Sequence, residues 1–173
     1  MSGPVGITAA QVRELRDRTG AGVLDCRRAL EETGGDLERA TELLRARGLA
    51  AAARRAGRQT SEGLVEAYIH TGGRLGALIE LNCETDFVAR TDDFRHLARE
   101  LAMQVAATGP RYLSREEVPE EERDDPRVKE WVLLEQPYIR DAGRSVQDLI
   151  RETVAKVGEN IQVRRFARFR VGE

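Results

Sequence analysis

Aromatic side chains are scarce in this sequence: one Trp, three Tyr and four Phe make up 5% of its 173 residues. A core with so few rings is filled by aliphatic side chains, and a ring outside an aliphatic pattern needs a reason of its own. Cysteine is scarcer still. Cys26 and Cys83 lie too far apart for a disulfide framework or for the closely spaced ligands of a zinc site, which points to a reduced, cytoplasmic setting. The two histidines, His70 and His96, have no serine or cysteine beside them in a nucleophile context, which argues against a hydrolase. No stretch approaches the roughly 20 apolar residues of a membrane span, and no basic segment followed by an apolar run opens the sequence. Neither membrane association nor export is expected. Net charge is nearly absent as well: 34% of the residues are charged but they sum to −2, which leaves no general electrostatic grip on nucleic acid.

Motifs for small-molecule chemistry are also missing. There is no Gly-x-x-x-x-Gly-Lys loop, and Gly20 and Gly22 fall between helical patterns instead of after a strand, so direct nucleotide binding is not expected. The acidic clusters lack the alternate spacing of a calcium loop. No cofactor and no metal site are predicted, and the chain does not read as an enzyme.

The residues that are present divide the chain in two. Thr8 and Gln11 form a capping-box pattern with Ile7 placed to staple against Val12, so a first helix is predicted over residues 9–19, closed by Gly20. A second covers residues 23–33, and Asp36 caps a third in which Leu37, Ala40, Leu43 and Leu44 recur at helical spacing up to Gly48. Residues 49–57, Ala and Arg, read as a helical connector with a solvated basic face. The expected domains are therefore residues 1–57, three helices and a connector, and residues 58–173, a larger unit whose length suffices for its own core.

In that second unit, residues 64–70 alternate, with Val65, Ala67 and Ile69 on one side and Glu66, Tyr68 and His70 on the other. Residues 75–83 alternate through Ala77, Ile79 and Leu81, and the Gly72–Gly73 centre between the two runs marks a hairpin. Thr91 caps a helix with an apolar stripe of Phe94, Leu97, Ala98, Leu101, Ala102 and Val105, ended by Gly109 and Pro110. The acidic run 114–130 reads as a solvated loop with a helical turn, and Pro137 confines any strand in residues 131–139 to an edge. Ser145 caps a helix ended by Gly158. A last strand sets Ile161, Val163, Ala167, Phe169 and Val171 on one face and Arg164, Phe166, Arg168 and Arg170 on the other. The predicted class is α+β: an N-terminal three-helix unit, then about three antiparallel strands with helices packed on one face.

Residues 80–90 read Glu80, Leu81, Asn82, Cys83, Glu84, Thr85, Asp86, Phe87, Val88, Ala89 and Arg90. A strand arrives at Cys83, and Thr85 is a good N-cap for the helical turn that follows. Phe87 falls in that first turn, where two placements are open. It can pack back into the core while Asp86 serves the helix dipole, or it can stand outward at the tip.

This stretch resembles a signature of the elongation factor Ts family, the nucleotide-exchange factors of bacterial elongation factor Tu. Residues 15–30, from Leu15 and Arg16 through Thr19, Gly20, Ala21, Gly22, Val23 and Leu24 to Leu30, are similar to the family's N-terminal signature. Residues 156–165, beginning Lys156, Val157, Gly158, Glu159 and Asn160, are similar to a third family block. The resemblance runs in the family's order over nearly the whole chain and fits poorly only at residues 120–131. It implies that the N-terminal helices are ubiquitin-associated-like, and that the protein binds elongation factor Tu loaded with GDP and speeds nucleotide release without covalent chemistry. It further implies that Thr85, Asp86, Phe87 and Val88 disturb the partner's bound Mg²⁺. Arg16, Thr19, Gly20, Ala21, Gly22, Val23 and Leu24 would then dock on its G domain. Where family members often carry Met, this chain has Val23 and Leu24.

Two other classes compete. A ubiquitin-associated-like adaptor uses only residues 7–48 and leaves residues 80–90 unexplained. An RNA-binding module uses the arginine face of the last strand, with Phe166 for stacking, whereas the alternative is that acidic residues of the 114–130 loop cover that face. The family's longer members have a duplicated core and a helical projection for which there is no room between Asp124 and Trp131. A single small sheet leaves an edge and a face open, so a homodimer through the sheet is expected.

Overall fold

The computed structural model describes residues 6–173; residues 1–5, the start of the expected first domain, lie outside the described residues. Helix α1, Ala9–Thr19, opens on a complete capping box between Thr8 and Gln11, and Gly20 closes it with φ 67°. Helix α2, Val23–Glu32, follows from Gly22, and helix α3, Leu37–Arg55, starts where the Asp36 carboxylate accepts from the Arg39 N–H. Leu15, Cys26, Ala29, Leu30, Ala40 and Leu44 are buried together as a first core.

The third helix does not stop at Gly48. It runs on through the expected connector as one element of 19 residues. A glycine inside a helix costs about 1 kcal/mol relative to alanine, and its reason here is close approach: a Cβ on Gly48 would lie 3.0 Å from the Cβ of Ala155. One turn further, Ala52 is buried in the second core. The connector is therefore a packed helix, and α3 contributes to both cores.

Strands β1, Glu62–Ile69, and β2, Leu75–Cys83, form the expected hairpin through Gly72 and Gly73. After a single turn, α4, Asp86–Ala89, comes helix α5, Asp92–Thr108, capped by Thr91. Phe94, Leu97, Ala98, Leu101, Ala102 and Val105 of α5 are all buried against the sheet. The acidic region departs from a solvated loop. It folds as two 3-10 turns, Arg115–Glu117 and Glu120–Glu122, and a short helix α6, Val128–Trp131. Val118, Val128 and Val132 form a small core of their own under Tyr112 and Trp131. Two of the acids pair locally, Glu122 with Arg111 at 2.9 Å and Asp125 with Arg127 at 3.0 Å. A two-stranded hairpin follows, β3, Pro137–Tyr138, with β4, Asp141–Ser145. It is fixed to α5 where Tyr138 donates to the buried Glu100 carboxylate. Helix α7, Val146–Val157, opens on a Ser145–Asp148 capping box, and β5, Ile161–Arg170, completes the main sheet.

The main sheet is antiparallel in the order β1-β2-β5, with a register shift opposite Glu80 and Leu81. Arg165 pairs with Glu80 and Val163 with Leu81, so Arg164 is the extra residue of a bulge. One extra residue moves every later side chain to the other face. Ile161 and Val163 face the core, but so do Phe166 and Arg168, while Ala167 and Phe169 turn outward; simple alternation assigned these four to the opposite faces. In β1 the core is reached by Leu64 and Tyr68, and the Val65, Ala67, Ile69 row lies on the outer face.

The packing of α3 on α7 can be tested at Gly48. Gly48→Leu is expected to lower the unfolding free energy by about 1–3 kcal/mol in chemical denaturation, through overpacking against Ala155. A gain in stability, which helix propensity alone demands, would show that the two helices do not meet there.

Candidate functional site

Residues 85–88 are placed by the end of β2 and by what faces it. Thr85 is extended (φ −130°, ψ 155°) and caps α4. Its hydroxyl lies 3.5 Å from the Val88 N–H, long for a capping bond. Stronger contacts hold Thr85 from the other side. Its backbone N–H donates to Glu159 Oε2 at 3.0 Å, and its hydroxyl donates to Glu159 Oε1 at 2.6 Å. Val88 and Ala89 turn inward and are buried. Phe87 points out and is 79% exposed, which decides between its two open placements. Asp86 pairs with Arg90 across one turn at 2.8 Å.

The preceding residue is also tied. The Asn160 N–H donates to Glu84 Oε1 at 2.6 Å, and Arg58 sits 3.5 Å from the same carboxylate. The buried Asn160 amide then donates to the carbonyls of Ala56, at 3.2 Å, and Arg58, at 2.8 Å. These lie at and just beyond the C-terminal end of α3, where carbonyls lack helical partners. Cys83, one residue from this junction, has its thiol pushed up to about 11, chiefly by burial and then by the neighbouring Glu159 carboxylate. Cys26 is raised too, again mainly by burial.

The N-terminal candidates form the α1–α2 corner. Thr19 donates its hydroxyl to Leu15 O at 2.7 Å and accepts from the Ala21 N–H at 3.3 Å, which ties the loop to the end of α1. Val23 and Leu24 begin α2 with their side chains in solvent, Leu24 being 70% exposed. Arg16 and Gly22 are exposed as well. No hydrogen bond or ion pair joins this corner to residues 85–88 among the described residues. Lys156 spans the interval: a Cβ at Gly20 would lie 3.3 Å from its Cε, and its ammonium pairs with Asp93, in the first turn of α5, at 2.6 Å.

The arginines expected on one face of the last strand do not form one face, and the acidic loop does not cover them. Arg164 is exposed in the bulge, Arg168 donates to Ala106 O at 3.0 Å and pairs with Glu173, and Arg170 also meets Glu173; Arg165, on the outer face, pairs with Glu80 at 2.7 Å. Phe166, the ring proposed for base stacking, packs on the core. Among the described residues no group of three His, Cys, Asp or Glu side chains is placed to hold a metal ion, and no helix is long and apolar enough to cross a membrane. Neither spacing nor composition marks Glu159, Asn160, Glu84 and Arg58 as site residues. Their signal in the sequence is that Glu84 lies within the 80–90 stretch and Glu159 and Asn160 within the third block quoted above; Arg58 has none.

A family model described as elongation factor TS matches residues 38–128. The chain is similar to elongation factor Ts of Carboxydothermus hydrogenoformans, 52% identical over 195 aligned positions that cover 96% of this chain and 90% of that protein. It is 54% identical to elongation factor Ts of Moorella thermoacetica, with 96% of each chain covered. Elongation factor Ts of a Thermoanaerobacter species is 51% identical with the same coverage. These alignments are longer than the 173-residue chain, so the relatives carry internal residues that this one lacks.

The raised Cys83 thiol makes stability fall with pH. An unfolded thiol ionises near 8.5 and the folded one near 11, so the native state holds more protons in between and loses stability as pH rises through that window. Chemical denaturation at pH 8 and pH 10 is expected to show a smaller alkaline loss for Cys83→Ala than for the parent. Equal losses would mean that the thiol is not held in a desolvated site.

Proposed function

The chain belongs to the elongation factor Ts family, and on that premise we propose that it is a guanine-nucleotide exchange factor that binds elongation factor Tu carrying GDP and promotes release of the nucleotide. The observation that carries this reading is Phe87, an exposed ring on a one-turn helix whose base is fixed from below. A protein this poor in aromatics does not leave one in water by default, and an exposed apolar anchor on a rigid mount fits a surface that is covered on binding.

The proposed mechanism is linkage. A factor that binds the empty G protein more tightly than the loaded one must lower nucleotide affinity by the same ratio. Phe87 enters the partner and shifts groups that hold its Mg²⁺, an ion that demands near-ideal octahedral geometry and is lost when ligands move. Burying one Phe stabilises by roughly 1.5–3 kcal/mol, which is about tenfold to a hundredfold in affinity. Further contacts are needed, and the exposed Val23 and Leu24 beside Arg16 and the 19–22 loop supply them in a ubiquitin-associated-like docking unit. No step forms or breaks a covalent bond.

A second reading concerns assembly. Val65, Ile69, Leu78 and Phe169 lie exposed on the outer sheet face, with Ala67 and Ala167 between them. A contiguous apolar face of this kind marks an interface. We propose that a second copy covers it in a two-fold dimer, each subunit binding one partner.

Release of a fluorescent GDP analogue from elongation factor Tu tests the first reading. The protein is expected to accelerate it, and Phe87→Ala to lose most of that acceleration while unfolding within about 0.5 kcal/mol of the parent, as an exposed substitution should. An intact variant with full activity sinks the wedge. Sedimentation tests the second: a dimer is expected for the parent and a monomer for Phe169→Glu, and a parent that stays monomeric at tens of micromolar contradicts the assembly.

A further inference from the structure

Helix α4 is four residues long, far below the length at which a helix holds itself together in water. The direction of Phe87 therefore depends on what grips the residue before the helix. The 3.5 Å cap to Val88 is weak, whereas the Glu159 carboxylate holds Thr85 at two points, 3.0 and 2.6 Å. A carboxylate gripping both an N–H and an O–H of one residue fixes its orientation as well as its position. The next residue, Asn160, is 3% exposed and uses its backbone N–H on Glu84 and its amide on Ala56 and Arg58. Two consecutive residues thus join the turn that carries Phe87 to the exit of the helix that leads back to the N-terminal corner.

We propose that Glu159 and Asn160 are positioning residues of the exchange reaction. Glu159 aims Phe87, and Asn160 sets the aimed turn at a fixed relation to α3 and so to the docking surface at Val23 and Leu24. The inference rests on the exchange reading above. Preorganisation of this kind acts on the step where the ring enters the partner, not on the first encounter through the N-terminal corner. Loss of Glu159 therefore changes the maximal rate and leaves the concentration dependence alone.

The experiment is release of the fluorescent GDP analogue from elongation factor Tu as a function of factor concentration, with the full chain and its variants. Glu159→Ala is expected to lower the maximal rate about tenfold with the half-saturating concentration within about twofold, the size of a lost hydrogen bond to a charged group. Glu159→Gln keeps one acceptor oxygen and should lose less. Added to Phe87→Ala, Glu159→Ala should cost nothing further, because both act through the same ring. Asn160→Ala should raise the half-saturating concentration instead. If Phe87→Ala is impaired while Glu159→Ala matches the parent, the positioning role is overturned and the exchange reading stands. Additive losses in the double variant also overturn it, since Glu159 would then act elsewhere. A parent chain that does not accelerate release removes both readings. Should Glu159→Ala fail to fold, the Glu159→Gln variant and its combination with Phe87→Ala decide the same question.

Discussion

The carboxylate of Glu159 accepts from the N–H and the hydroxyl of Thr85 across 74 residues of sequence, and the sheet makes this meeting possible. Ile161 is the antiparallel partner of Cys83. Continuing that ladder by two residues past the strand ends sets Glu159 opposite Thr85. The same bond that closes the sheet's open end therefore orients the residue that caps α4. In the turn that follows Thr85, Val88 and Ala89 are buried in the core and Phe87 is exposed.

Polar groups at such a junction are stabilising only if all of them are satisfied. Asn160 meets that condition: its three donors reach Glu84, Ala56 and Arg58. Gln162 adds a second donor to Ala56 at 3.2 Å. The end of α3 is thus capped by side chains at and just before the start of the last strand, and α3 in turn crosses α7 at Gly48 and Ala155. The N-terminal helices are consequently held to the sheet unit at two places on one helix, and Lys156 adds a third contact between Gly20 and Asp93. Two exposed apolar features, the start of α2 and the tip of α4, are carried by one braced frame.

Much of this was legible from residue patterns. Thr8, Asp36, Thr91 and Ser145 all cap helices as their spacing indicates, because capping is local chemistry. The apolar stripe of α5 is buried throughout, as an unbroken helical period requires. Where the reading failed, the cause lay outside the local window. Gly48 stops a helix in isolation but permits one that must pass close to another. The bulge at Arg164 leaves no mark in an alternating run, so Phe166 and Phe169 were assigned to the wrong faces. Valines 118, 128 and 132 are too sparse to outweigh the acids around them until the chain folds them together. Phe87 could not be placed from composition, since the turn that carries it is held by Glu159, a residue without any local relation to it.

The measurement that bears most directly on a wedge held ready in the free protein is hydrogen exchange at the Thr85 amide, followed by NMR without any partner. Among the described residues the Thr85 N–H is bonded only to the Glu159 side chain, so the bond's persistence reports whether the turn is fixed. The structure predicts protection well above that of an open loop, and loss of that protection in Glu159→Ala with the amides of α5 still protected. Exchange of the Thr85 amide at the rate of an unstructured chain in the parent protein would contradict the account.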